Sequence, residues 1–113
     1  MELKNVELLI KNPPDVLTEI TYEVASARAD GIELMCFTIK VDDAEELSDR
    51  RVSSAVTKVL KGLKEKGLIQ FFATPSDFKR GSTEASFLIN KYPTFFDNLP
   101  RECDGFDFVY VKI

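Results

Sequence analysis

Histidine, the commonest general base and metal ligand, is absent from this sequence. Every His-assisted nucleophile is thereby excluded, and so is any zinc or copper centre built on imidazole. Cys36 and Cys103 are too far apart to form the spaced ligand pairs of a structural zinc site. The five glycines (Gly31, Gly62, Gly67, Gly81, Gly105) are scattered, so neither a Walker-type nor a dinucleotide-type phosphate loop is present. Carboxylates are plentiful, with Asp42-Asp43-Ala44-Glu45-Glu46 the densest run. Such a run suits a divalent cation or a pair of catalytic acids. It equally suits the solvated start of a helix, where the backbone dipole favours negative charge. The second reading carries more weight, because acid catalysis needs carboxylates converging in a cleft with separated pKa values. No catalytic residue and no cofactor is expected, although an enzyme using only Asp, Lys, Tyr or Cys stays open.

Charge is divided along the chain. Net charge is −4, yet residues 50–91 carry nine basic against three acidic side chains, a local +6. The remainder carries six basic against sixteen acidic, a local −10. A basic centre in an acidic frame is what a polyanion-binding face would produce, and equally what a charge-complementary contact would produce. Aromatic rings are divided too, with eight of nine phenylalanines lying in the last 43 residues. Most of these rings belong to a core. Any surplus, Tyr92, Phe95 and Phe96 above all, would serve as a partner or homodimer surface.

The elements that must hold these residues follow from periodicity and punctuation. Residues 3–11 alternate as a strand, and Asn12-Pro13-Pro14-Asp15 starts a helix running to about Ala29. Val16, Ile20, Val24 and Ala27 form its apolar stripe, and Asp30-Gly31 ends it. Residues 32–41 are apolar on both alternating faces, which predicts an interior strand and an opening βαβ unit. A second helix ends at Gly67, with Val52, Val56, Val59, Leu60 and Leu63 on one face. Residues 68–74 read as a strand, Ser76–Gly81 as a turn, Tyr92–Pro100 as a Pro-bounded loop and 106–113 as a final strand. Residues 82–90 satisfy both periods: Ser82 could cap a short helix, or Ala85, Phe87 and Ile89 could alternate in a strand paired to 68–74.

One stretch resembles a known family. Val52-Ser-Ser-Ala-Val-Thr-Lys-Val-Leu-Lys-Gly-Leu-Lys-Glu-Lys-Gly-Leu-Ile69 is similar to the recognition helix of winged helix-turn-helix regulators. Pro75-Ser-Asp77-Phe-Lys79-Arg80-Gly81 is similar to the wing tip of their MarR-type subgroup. The resemblance covers about residues 43–89. It implies that Ser53, Ser54, Thr57, Lys58 and Lys61 face a major groove, with Lys79 and Arg80 on phosphates or in the minor groove. The sequence departs from the family in its long strand 32–41, in the short spacing before Val52 and in the extra C-terminal strand.

The expectation is one α/β or α+β domain, residues 1–113, a two-layer sandwich of about four strands and three helices in the order β-α-β-α-β-x-β. A winged-helix-like fold is the alternative. No run approaches the roughly 20 apolar residues of a spanning helix, and the first residues lack the pattern of a signal peptide. Together with the two cysteines, this predicts a cytoplasmic protein with no membrane contact. Its expected function is non-enzymatic binding through protein–protein contacts, with nucleic-acid binding and a small carboxylate- or lysine-based enzyme as alternatives.

Overall fold

The computed structural model describes residues 3–10, 13–41, 49–96 and 108–113. The elements are β1 (Leu3–Ile10), α1 (Pro13–Ala29), β2 (Leu34–Val41), α2 (Asp49–Glu65), β3 (Phe71–Ala73), α3 (Pro75–Arg80), α4 (Thr83–Lys91), α5 (Pro93–Phe96) and β4 (Phe108–Lys112). The four strands form one mixed sheet in the order β1-β2-β4-β3. β1 and β2 pair in parallel, as the opening βαβ unit predicts. β4 inserts between β2 and β3 and runs antiparallel to both. The α+β sandwich is therefore what the chain builds.

Alternation along the strands sorts the side chains into two cores. On one face Leu8, Ile10, Met35, Phe37, Ile39, Val109 and Val111 meet α1 and α2. Val16, Ile20, Val24 and Ala27, the stripe visible in the sequence, are all buried there. On the other face Leu34 and Ala73 meet Leu88, Tyr92 and Phe96 of the short helices.

α1 and α2 end in the same way. Gly31 and Gly67 adopt φ of 72° and 74°, a left-handed conformation that costs glycine nothing. The following amides reach back into the helix, Ile32 N–H to the Ala27 carbonyl (2.9 Å) and Leu68 N–H to the Leu63 carbonyl (3.0 Å). This second cap corrects the expected strand 68–74. Leu68 is still finishing α2, so β3 is only Phe71–Ala73.

The segment after β3 corrects one expectation and settles a choice that the sequence leaves open. Ser76–Arg80, most of the turn that a strand at 82–90 would need, lie in α3, with Gly81 as its left-handed cap. The Thr74 hydroxyl accepts from the Asp77 amide while the Asp77 carboxylate accepts from the Thr74 amide, a reciprocal capping box, with Pro75 at the first position. Residues 83–91 are helical rather than a strand, with the Ser82 hydroxyl accepting from the Ala85 amide. The hairpin implied by the winged-helix resemblance is thus replaced by two capped helices. The loop expected at 92–100 begins as a third short helix, α5, so the described residues hold five helices where three were expected. The Asp42–Glu46 run, the Asn12 cap, Cys103 and the first residues of the expected strand 106–113 lie outside the described residues.

Among the described residues, no helix is long and apolar enough to cross a membrane.

Candidate functional site

α1 and α2 lie side by side on the sheet and run parallel. Each leads into one of two parallel strands, β2 and β3, both antiparallel to β4. Their inward positions fill the first core, and the remaining positions shape the outer surface. On α1, Leu17 and Tyr22 fall off the buried stripe and are 58% and 69% exposed. On α2, Lys58 and Gly62 form the outward crest, flanked by the half-buried Ala55 and Val59.

Between the two helices runs a cleft of about 840 Å³. Its floor is Ala55, Val59, Leu63 and Leu68; Leu17 and Tyr22 rim one side, Lys58 and Lys66 the other. The Thr21 hydroxyl, also in this lining, is buried without a hydrogen-bond partner among the described residues. The cleft is braced at one end by Arg28, whose guanidinium donates to the Leu68 carbonyl at 2.8 Å.

Charge flanks the cleft with opposite signs. Outside α1, towards β1, Glu7, Asp15, Glu19 and Glu23 line a second depression of about 630 Å³. Of these, Glu23 pairs with Lys4 at 3.8 Å and Glu7 with Lys40 at 3.2 Å. Outside α2, Ser53, Ser54, Thr57, Lys58 and Lys61 line a third of about 600 Å³, with Gly62 and Glu65. Tyr22 belongs to both the acidic and the apolar depressions, and Lys58 to both the apolar and the basic ones. The three are one continuous surface: acidic, apolar, basic.

No protein-family model, curated protein or solved structure matches the chain.

The five α2 residues singled out from the sequence do line one depression, Ser54, Lys58 and Lys61 exposed and Ser53 and Thr57 half-buried. Lys79 and Arg80 do not join them. They sit on α3, beyond the opposite face of the sheet, where Arg80 donates to Asp77 at 2.6 Å. Tyr92 and Phe96 are not surface rings. They are 8% and 5% exposed and fill the second core, Tyr92 from the cap of α4 and Phe96 from α5, in one cluster with Leu34 and with Tyr110 packed against it. Phe96 lies 4.8 Å from the Tyr110 ring. Phe95 is half-buried beside Tyr92. Phe87 and Ile89 are partly exposed on α4. The Phe87 ring, however, is covered by the Lys91 ammonium at 5.5 Å and meets Phe71 edge-on.

The perturbed ionisable groups have structural explanations. Burial raises the Cys36 thiol, partly offset by a hydrogen bond with Tyr110, which leaves a poorly nucleophilic sulfur. Burial and then the nearby Lys91 lower Lys112. Burial raises the Asp77 carboxyl, but hydrogen bonds from Thr74 and Arg80 bring it below its ordinary value, and the hydrogen bond to Asp77 raises Arg80. Among the described residues, no three Asp, Glu or Cys side chains converge to hold a metal ion.

Sequence reasoning did not find Leu17, Tyr22 or Gly62. The signal was present: Leu17 and Tyr22 are large apolar residues lying outside the stripe that the helix buries.

Proposed function

We propose that the chain is a cytoplasmic, non-enzymatic binding module that acts through protein–protein contacts on its α1/α2 face. The observation that carries this reading is the outward pair Leu17 and Tyr22 on the rim of an apolar-floored cleft. A large aromatic beside a preformed apolar depression is the usual anatomy of an interface centre, and the charged flanks resemble a polar rim. A count of two cysteines and the ordinary globular composition support the compartment. A photo-crosslinking residue in place of Tyr22, in the native cell, tests the reading. Discrete protein adducts from position 22, absent from position 94 on α5 and abolished by Leu17→Glu, are expected. Absence of adducts at position 22 overturns it.

A second reading rests on its own observation. Ser53, Ser54, Thr57, Lys58 and Lys61 line one depression along α2, with Ser54, Lys58 and Lys61 exposed and Ser53 and Thr57 half-buried, a helix surface that nucleic acid could contact. It predicts binding to labelled duplex that weakens steeply with salt and is lost in Lys58→Glu/Lys61→Glu. No anisotropy change at low salt ends it.

A further inference from the structure

We infer that the partner on the α1/α2 face is a second copy of this chain, docked about a two-fold axis running parallel to α1 and α2. The inference rests on the proposed docking role of that face and names its occupant.

The first argument is charge. The acidic flank of α1 (Asp15, Glu19, Glu23) and the basic crest of α2 (Lys58, with Lys61 beside it) lie on opposite sides of one apolar cleft. A surface that is acidic, apolar and basic in that order is complementary to itself after a half-turn about its long direction. An isologous interface demands this property, because each patch must meet its counterpart twice. In the resulting arrangement the α1 crest of each copy, led by Tyr22, enters the cleft of the other, which Leu17 rims. The α2 crest of each copy then lies along the acidic flank of the other's α1. A two-fold axis perpendicular to the helices would set α1 on α1 and α2 on α2, like charge on like. Nesting α2 rather than α1 in the cleft would bring the two Lys58 side chains together.

The second argument is height. Leu34, which follows α1, and Phe71, which follows α2, both pair with Lys112. The helix-ending glycines are Gly31 and Gly67. α1 and α2 therefore stand level with a shift of about 36–37 residues, which places Glu19 within about 4 Å of the height of Lys58. Rotation about an axis parallel to the helices leaves heights unchanged, so Glu19 of one copy meets Lys58 of the other, twice per dimer.

The third argument is Gly62. It sits inside α2, where glycine is the poorest helix former after proline, and its φ is not among the positive ones. A Cβ built on it would meet nothing within 4 Å. Its own fold gives no reason for glycine at the α2 crest. Close approach of the other copy's α1 flank gives one. In extent, two helices of 17 residues offer a footprint on the order of 500 Å² in projection. That is the scale on which each partner buries roughly 800 Å² of accessible surface in a standard interface.

A charge-swap experiment on the intact chain, read by sedimentation equilibrium, tests the arrangement. Wild type is expected to reach twice 12.8 kDa with rising concentration, less so at high salt. Glu19→Lys and Lys58→Glu, both at exposed positions, each turn two attractions into repulsions and should weaken association at least about tenfold. The equimolar mixture should recover it, since both cross-copy pairs become opposite in charge. Unchanged circular dichroism and Tm in each variant show that the fold is intact. A wild type that stays monomeric at millimolar concentration overturns the inference. So does a dimer indifferent to both variants, or singles that the mixture fails to rescue. In the cell, an adduct from position 22 at twice the chain mass supports the second copy. An adduct only at another mass overturns it and leaves the proposed docking role standing, whereas no adduct removes both.

Discussion

The Arg28 guanidinium and the Leu68 carbonyl meet at 2.8 Å, joining the last turn of α1 to the cap of α2. A weaker contact to the Gly67 carbonyl, at 3.5 Å, shares the same nitrogen. Two helices distant in sequence are thereby held at a fixed spacing, and the cleft between them has a braced floor. Arg28→Ala should lower stability by about 1 kcal/mol, the worth of one charge-assisted but exposed hydrogen bond. Arg28→Lys should recover only part, since the shorter, more strongly hydrated ammonium gives up water less readily than a guanidinium. Urea unfolding at low protein concentration measures both.

Gly62→Ala is expected to stabilise the monomer by about 1 kcal/mol. The new methyl meets nothing within 4 Å, and alanine removes glycine's conformational-entropy penalty. Calorimetry on dilute protein should show a Tm several degrees higher, on the order of 4–8 °C. Gly62→Gln should keep the fold and impair self-association, because its side chain occupies the surface where a second copy approaches.

Asp77 predicts an acid-sensitive contribution. Burial pulls its carboxyl upward, but hydrogen bonds from the Thr74 amide, Arg80 and the Thr74 hydroxyl outweigh it and leave the pKa below its ordinary value. A carboxylate depressed in the folded state adds stability above its unfolded pKa, near 3.9. That stability drains away as pH falls below this value towards the folded one. Asp77→Ala should therefore cost about 1 kcal/mol at pH 7 and progressively less below pH 4. Urea midpoints for both proteins across pH 2.5–7, values chosen to span roughly this window, check the sign.

Tyr92 carries a buried hydroxyl with no hydrogen-bond partner among the described residues. Tyr92→Phe removes that unmet desolvation cost and keeps the ring against Phe95. It should be neutral or stabilising, by up to about 1–2 kcal/mol. A loss of more than about 1 kcal/mol in equilibrium unfolding would instead show that the hydroxyl is satisfied in solution.

Much of this architecture is legible in the residues, and the exceptions have physical causes. Val16-Ile20-Val24-Ala27 announces a buried helix face because its spacing matches the helical period, and all four side chains are buried. Thr74-Pro75-Ser76-Asp77 contains a complete capping box, yet beside a strand and a glycine it reads as a turn. A capping signature ahead of only six residues competes poorly with turn chemistry until the phenylalanine it delivers, Phe78, is seen to stack on Phe96 at 5.5 Å. The ambiguity at 82–90 has the same origin, since nine residues satisfy either period and only burial of Ala85 and Leu88 decides. The clustered aromatics were legible as core in general but not in particular. Tyr92, Phe95 and Phe96 looked like surplus because a second sheet face covered by short helices is not a pattern any local period encodes. The α1/α2 surface was the least legible feature. It arises from two helices 36–37 residues apart standing level, a relationship fixed by the sheet.

The place of β4 between β2 and β3 has a consequence for the order in which the chain can assemble. β1, α1 and β2 are neighbours in sequence and can pair as soon as they leave the ribosome. β3 has no strand beside it until residues 108–112 arrive, and neither does the second edge of β2. Until then α2 rests on half a sheet, and Val109 and Val111 are missing from the core beneath it. A chain stalled before residue 108 would therefore present a sticky, unfinished surface to chaperones, and self-recognition through the helices would be deferred until the sheet closes.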